Sequence, residues 1–367
     1  MPRELLAFTG DDTGLVKRVR LSGTTGATHR YGTQARRGGV TCACWGPDGE
    51  DFVGAGLANG IVRFWRTEGT AATPEFTRST GATELRPAVV GLHASGGGGA
   101  ESSARVLACD AEGAVHAWRW GGGDCDEDPA EGTPMFGTGG AVSVATFDHA
   151  GERCVVGGRD RDFGLWDVGT MACAFRARNV LKDNLDLPVP VWVSGLRFVP
   201  DAPAQIVAST GFVQFRLRGE VRLYDVKAQR RPTTRSIAPL GEEAIQSIAC
   251  SPDGRYVIAG SGSGGLARLD MRMNLKPVGS YKGAAGSIKR IEVHPTLPLV
   301  ACASLDRHVR VYKLEGTGAL VQKAYLKQRL STLLFSSALP PSGTFNPESS
   351  PGPGPGPWPQ PQPQPKP

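Results

Sequence analysis

Short runs of alternating apolar and polar residues recur along this chain, and most of them end at a cluster of Pro, Asp and Gly. Alternation with a period of two is typical of an extended strand, because successive side chains point to opposite faces. The Pro, Asp and Gly clusters predict tight turns. The runs that begin a unit occupy residues 40–45, 88–93, 142–147, 193–198, 245–250 and 288–293.

Each of these units continues with a strand of small residues and then a third strand that closes on an aromatic or aliphatic residue. The third strands are predicted at residues 61–65, 114–118, 163–167, 221–225, 266–270 and 309–312. Three of them keep an aspartate after that residue: Asp167, Asp225 and Asp270. With a repeat of roughly 40 to 55 residues, the pattern resembles the WD-repeat β-propeller, whose blade is a four-stranded sheet.

Residues left over at the two ends of the chain fit a seventh unit. Residues 5–9 and 15–21 match the second and third strands of a blade, and residues 330–335 match a first strand. A blade built from both termini would remove an exposed sheet edge. We therefore predict an all-β, seven-bladed WD-repeat β-propeller over residues 1–336, closed by the N- and C-terminal strands.

The last part of the chain, residues 337–367, is rich in Pro, Gly and Gln. Proline has no backbone N–H to donate, so such a segment cannot form a strand ladder. We predict a disordered tail.

Composition narrows the class of protein. The chain has 367 residues, of which 40% are hydrophobic, enough for a large core. It has neither eighteen consecutive apolar residues nor an apolar signal-peptide run near its start, which favours an intracellular protein without a membrane partner. The eight cysteines form no C-x-x-C pair and lie mostly in strand-like runs, which favours buried, reduced thiols over a zinc site.

Motifs of nucleotide-binding loops, zinc proteases and serine hydrolases are missing from the sequence. We therefore expect no enzyme, and no catalytic residue, metal, cofactor or small-molecule substrate. His294 precedes Pro295, which favours a turn or packing role over a catalytic one. Asp110, Asp160 and Asp306 recur before third strands, as expected for turn carboxylates that accept backbone N–H groups.

Charge divides the chain into two halves. Residues 1–170 carry a net charge of −6, and the remaining residues carry +12. The basic half suggests a polyanion or an acidic protein as partner. It begins with a non-repeating stretch at residues 175–192, FRARNVLKDNLDLPVPVW, which joins a predicted fourth strand to the next first strand.

Propeller topology predicts which loops share a face. Loops from fourth to first strands and from second to third strands open on one side, and this side defines our candidate interaction site. Its residues are Arg159, Arg178, Asn179, Lys182, Asp183, Lys282, Asp306 and Arg307. Arg230 and Arg231 follow a third strand and are expected on the opposite face. A basic face suits RNA phosphates or an acidic protein segment, although any one of these residues could be an ordinary solvated loop charge.

Several stretches also resemble one family, the WD-repeat nucleolar assembly factors of the large ribosomal subunit. They occupy residues 175–192, 221–232, 265–272, 279–312 and 323–336. The resemblance implies a non-enzymatic scaffold of the nucleus and nucleolus that assembles on large (60S) subunit precursors and supports rRNA processing. It implies pre-ribosomal assembly factors and precursor rRNA as partners, and an AAA-class ATPase for release.

Two features depart from the family pattern. Residues 212–219 look inserted, and the family's lysine-rich C-terminal tail has no counterpart, because Lys366 is the only lysine after residue 337.

The alternative to a ribosome-assembly scaffold is a generic WD-repeat adaptor, such as the substrate receptor of a ubiquitin ligase.

Overall fold

Seven four-stranded antiparallel sheets make up the computed structural model, which describes residues 4–22, 25–68, 73–81, 86–96, 104–121, 133–182, 186–187, 189–211 and 219–337. We number the sheets as blades 1 to 7 in chain order from residue 40. Each of blades 1 to 6 consists of four consecutive strands, and blade 7 combines the last strand of the chain with the first three. The architecture confirms the predicted seven-bladed propeller.

Within the described residues the strands are, in chain order, β1 (Leu6–Asp11), β2 (Val16–Arg20), β3 (Gly26–Tyr31), β4 (Val40–Gly46), β5 (Gly49–Leu57), β6 (Ile61–Arg66), β7 (Phe76–Ser79), β8 (Val89–Ser95), β9 (Arg105–Asp110), β10 (Ala114–Arg119), β11 (Phe136–Gly137), β12 (Val144–Phe147), β13 (Arg153–Gly158), β14 (Arg161–Asp167), β15 (Cys173–Arg176), β16 (Val193–Val199), β17 (Ala202–Thr210), β18 (Glu220–Asp225), β19 (Thr234–Ile237), β20 (Ile245–Cys250), β21 (Tyr256–Ser261), β22 (Leu266–Asp270), β23 (Lys276–Tyr281), β24 (Ile288–Val293), β25 (Leu299–Ser304), β26 (His308–Lys313), β27 (Leu320–Tyr325) and β28 (Leu330–Phe335). One short 3-10 helix, Met271–Met273, follows β22. No helix in the described part of the chain is long and apolar enough to cross a membrane.

Blade 7 closes the ring with strands from both ends of the chain. The C-terminal β28 pairs with the N-terminal β1, and Ala7 lies opposite Phe335 while Thr9 lies opposite Leu333. Leu333 is fully buried and Phe335 is 5% exposed. The predicted seventh blade is therefore confirmed.

The hydrophobic core lies between neighbouring blades rather than at one centre. Each blade is a sheet with both faces covered, so alternate side chains of its strands pack against the blades on either side. Tyr31, at the end of β3 in blade 7, packs with Trp65 of blade 1 and donates its hydroxyl to the carbonyl of Thr67 over 3.0 Å. Tyr281 of blade 5 bonds the carbonyl of Leu314 in blade 6 over 2.9 Å. Such tyrosines join blades through both an apolar ring and a polar tip.

The predicted turn residues behave as expected at several positions. The carboxylate of Asp110 accepts the N–H groups of Glu112 and Ala114 over 3.0 and 2.9 Å, which confirms its turn role. His294 is buried, and its Nδ1 accepts the N–H groups of Thr296 and Leu297 over 3.2 and 3.0 Å. Burial lowers the pKa of His294, so the ring is neutral and can accept these bonds.

The cysteines of the described residues are free thiols. Burial raises the pKa of Cys42 to about 11 and those of Cys250 and Cys302 to about 12. A thiolate is the reactive form of cysteine, so these side chains are poor nucleophiles at neutral pH.

Three sequence predictions concern residues outside the described ranges. Asp183 is one of them, and residues 338–367 of the predicted tail are another. The third is the apparent insertion, of which only Gly219 is described. On either side of it, β17 and β18 pair without a register shift, with Ser209 opposite Val221.

Candidate interaction surface

Backbone hydrogen bonds place two sets of loops on one side of the ring. The turn between the second and third strands of a blade bonds to the connection that enters the same blade: Ala58 N–H donates to Gly39, Ala111 to Ala88 and Leu305 to Ser287, over 2.8 to 3.0 Å. We call this side the upper face. It carries the stretch at residues 177–192, which joins blade 3 to blade 4.

Asn179 shapes the beginning of that stretch. Its side-chain amide donates to the carbonyl of Val189 over 2.5 Å, and its Oδ1 accepts the N–H of Val180 over 2.8 Å. Arg222, on the third strand of blade 4, donates Nη1 to the same Oδ1 over 2.9 Å. The bond from Asn179 to Val189 joins the two ends of the stretch, so Asn179 organises the loop instead of presenting a free side chain.

A buried polar network supports the loop from below. Arg222 is 3% exposed and pairs through Nε with Glu220 over 2.8 Å. Asp162 lies beside it, and burial raises the pKa of Asp162 although Arg222 and the N–H of Asn179 oppose the shift. Buried charges need partners of this kind to offset lost hydration. This network could not be predicted from the sequence, because its members lie on β14, on β18 and in a loop.

Arg159 holds the other end of the loop. It forms an isolated antiparallel bridge with Trp192, and its guanidinium lies 5.3 Å from the centroid of the indole ring. The N–H of Asp160 donates to Val191 over 2.7 Å. A cation over an aromatic face is worth about 0.5–1 kcal/mol at an exposed site. Arg159 is thus brought to the predicted loop, as expected from the topology.

The middle of the loop presents charged and apolar groups to solvent. Arg178 is exposed, and the Lys182 side chain is 59% exposed. Lys182 pairs with the highly exposed Asp186 over 3.1 Å, and an exposed pair of this kind is worth about 0.2–1 kcal/mol. Leu181 and Leu187 are 69% and 55% exposed. Large apolar side chains this exposed beside cations are typical of an interaction site.

The prediction that Arg230 and Arg231 lie on the opposite face was wrong. The carbonyl of Arg230 accepts the N–H of Arg178 over 2.8 Å, and Nε of Arg231 donates to the carbonyl of Asn179 over 3.3 Å. A sheet twists by roughly 20–25° per strand, so the twist accumulated over four strands swings the outer ends of a blade sideways. The connection between β18 and β19 therefore reaches the loop of blade 3.

This contact assembles a basic surface from two blades, which we call the junction patch. Both arginines of the doublet are exposed. The patch consists of Arg178, Leu181, Lys182, Leu187, Arg230 and Arg231.

Lys282, Asp306 and Arg307 form a second group, at the junction of blades 5 and 6. Lys282 and Arg307 are exposed, whereas Asp306 is mainly a structural acceptor. Its carboxylate accepts the N–H groups of Ala285 and His308 over 3.2 and 3.1 Å and pairs with Arg310 over 2.6 Å. The predicted face is thus divided into two groups, with the strands of blades 4 and 5 between them.

Asp306 makes the stability of this junction depend on pH. Although burial opposes it, hydrogen bonds from Arg310, Ser304 and the Ala285 N–H lower the pKa of Asp306 to about 2, from 3.8. A carboxyl group with a lowered pKa in the folded state stabilises the protein above its unfolded pKa, and this contribution disappears as the pH falls through the folded value. The difference in unfolding free energy between the wild type and Asp306→Asn should therefore be largest above about pH 4 and shrink towards about pH 2.

Urea unfolding at several pH values checks this expectation. Asp186→Asn, at a side chain that is 84% exposed, is the control. A constant difference for Asp306→Asn across the acid range would contradict the expected role.

Comparison with known proteins agrees with this architecture. The family model described as "WD domain, G-beta repeat" matches residues 28–66, 236–269 and 275–313. The chain is 32% identical over 333 residues to WD repeat-containing protein 74 of Bos taurus and 31% identical over 338 residues to that of Homo sapiens, in each case covering 90% of this chain and 80% of the relative. It is 28% identical over 210 residues to Ribosome biogenesis protein NSA1 of Yarrowia lipolytica, covering 50% of this chain and 49% of the relative.

Proposed function

The chain belongs to the family of WD repeat-containing protein 74, and we propose that it is a non-enzymatic scaffold of ribosome biogenesis that assembles on large-subunit precursors. The names of the NSA1 relatives, which describe ribosome biogenesis proteins, support this role. The proposal includes a nuclear and nucleolar location, a part in rRNA processing and release by an AAA-class ATPase. These finer features rest on the family resemblance.

The observation that carries the proposal is the junction patch. The patch brings four exposed cations from two blades together with two exposed leucines. Guanidinium groups bind carboxylates and phosphates through two parallel hydrogen bonds, and lysine adds a point charge. Exposed leucines add apolar area that favours a protein partner. The patch therefore suits an acidic segment of an assembly factor, with rRNA phosphates close by.

Reversing the charges of the patch tests this role. In Arg178→Glu/Lys182→Glu and in Arg230→Glu/Arg231→Glu, we expect co-sedimentation with precursor large subunits to fall at least about tenfold, because charge-assisted contacts are replaced by repulsion. Melting temperatures should stay close to that of the wild type, since the altered side chains are exposed. Gradient sedimentation of the tagged protein, with detection of precursor rRNA, measures the effect.

Arg36→Glu/Arg37→Glu is the matched control. This pair is also an exposed arginine doublet, but it lies between β3 and β4, where blade 7 meets blade 1. Equal losses for this doublet and for Arg230/Arg231 would mean that net charge alone drives recruitment. If the tagged protein instead co-purifies with a cullin-type ubiquitin ligase and without ribosomal RNA, the adaptor function is supported and the scaffold role is contradicted. Unfolding of the patch variants would show that these side chains are needed for folding, and it would contradict their role in binding.

A further inference from the structure

A channel of about 1020 Å³ runs through the ring and is lined by the first strands of the seven blades. Its wall on blades 1 to 3 includes Cys44, His93 and Thr146 and carries the carboxylate of Glu50 on blade 1. Burial lowers the pKa of His93, which keeps its ring uncharged near neutral pH. The cations of the channel lie elsewhere, on the strands of blades 4 and 6.

Those cations are Arg197 on β16 and Lys289 and Arg290 on β24. Arg290 donates Nε to Oε1 of Glu292 over 2.8 Å, and Nη2 of Arg197 lies 3.8 Å from the same oxygen. The carboxylate of Glu292 therefore lies near two guanidinium groups, one from blade 4 and one from blade 6. Lys289 is exposed to the channel and forms no ion pair with any residue that the structure describes.

The other carboxylate of the channel is already engaged. Glu50 accepts the hydroxyl of Ser336 over 2.5 Å and the N–H of Ser337, which follow β28. It therefore takes part in the seam between blades 1 and 7. Positive charge remains in excess on one wall of the channel.

The electrostatics of Arg197 reflect this excess. Burial, together with the charge of Arg290, lowers the pKa of Arg197 to about 10. The group is still cationic at neutral pH, but its charge is incompletely offset by Glu292. Concave sites with low-dielectric walls concentrate the field of such charges and attract ions of opposite sign. An anion between the two guanidinium groups would relieve the repulsion.

We propose that Arg197, Lys289 and Arg290 form a binding site for a small phosphate-type anion of about the size of pyrophosphate. The two guanidinium groups can each bind phosphate oxygens through paired N–H donors, and Lys289 adds a third charge. Blade 5 lies between them and lines the channel with Gln246 and Ser247, whose side chains are neutral donors. The channel, at about 1020 Å³, leaves ample room for such an anion. This ligand site is distinct from the junction patch and does not depend on the scaffold function.

Titration of the full chain with inorganic pyrophosphate, followed by calorimetry, tests the site. Lys289→Gln should weaken binding about tenfold, since one charge-assisted bond is lost. Glu292→Gln should strengthen binding, because it removes the competing carboxylate. Lys276→Gln, which removes an exposed lysine on the outer strand β23, should bind as the wild type does.

Unchanged affinity in Lys289→Gln, or no binding of pyrophosphate at millimolar concentration, would overturn the proposal. If Glu292→Gln fails to fold, the comparison of Lys289→Gln with Lys276→Gln still decides the question. A 5′-phosphorylated oligoribonucleotide should not compete with pyrophosphate. Competition would show that the site takes an RNA end and not a free anion.

Discussion

Truncation after Gln328, which removes β28 and the tail, is expected to abolish cooperative folding or to lower the melting temperature by well over about ten degrees. Strand β28 is the first strand of blade 7 and pairs with β1 along its length. Its Leu330 and Leu333 are fully buried, and Phe335 is 5% exposed. Burying each such side chain is worth about 1.5–3 kcal/mol, so their summed loss approaches the whole stability of an ordinary domain.

A second truncation provides the control. Ending the chain after Ser337 keeps β28 and its contacts with Glu50 while removing the tail. This form should melt close to the full chain in a calorimetric or circular-dichroism scan. A deletion of residues 323–336 would be less specific, because it would remove part of β27 in blade 6 as well as β28. A melting curve for the Gln328 truncation like that of the full chain would contradict the closure by β28.

Replacement of Lys17 by methionine is expected to lower the free energy of unfolding by about 3–5 kcal/mol, because it leaves a buried carboxylate without its partner. Lys17 is 2% exposed and Asp11 is fully buried, and Nζ lies 2.8 Å from Oδ2 of Asp11. Nζ also donates to the carbonyl of Leu326 over 3.1 Å and to Gln328 over 2.6 Å. The ammonium group therefore ties β2 to the segment that leads into β28.

Arg20→Met is the matched control on the same strand. Arg20 pairs with Glu4 over 2.7 Å, but the two side chains are 39% and 31% exposed, and such a pair contributes about 0–1 kcal/mol. Adding Asp11→Asn to Lys17→Met should recover part of the loss, since the amide oxygen can still accept the N–H groups of Thr13 and Leu15. Urea unfolding measures all the variants. Equal costs for Lys17→Met and Arg20→Met would rule out a special role for the buried pair.

Most of the fold could be predicted because its determinants are local and repeated. Alternating apolar residues followed by turn residues mark each blade, and the unmatched strands at both ends imply the seam. The turn roles of Asp110 and His294 were also predictable, since a side chain that bonds the next few backbone N–H groups leaves its trace within a few residues.

The candidate surface was predicted only in part. Topology correctly brings Arg159 to the loop of blade 3 and Asp306 to the loop that carries Lys282. The prediction of a loop's face from strand order failed for Arg230 and Arg231, because it treats each blade as a flat sheet. The twist of a real sheet changes which outer loops meet. The doublet itself was visible in the sequence, but its neighbours were not.

The sequence by itself determined the repeat, the number of blades, their closure by both termini and the basic character of the second half, since each depends on residue types at short, recurring spacings. Only the tertiary structure decided which charges meet. It joined Arg178 to Arg230, buried Lys17 against Asp11 and placed Arg197 near Arg290 in the channel. These contacts link blades or distant loops, and their geometry depends on strand twist and ring closure, which leave no local pattern in the chain.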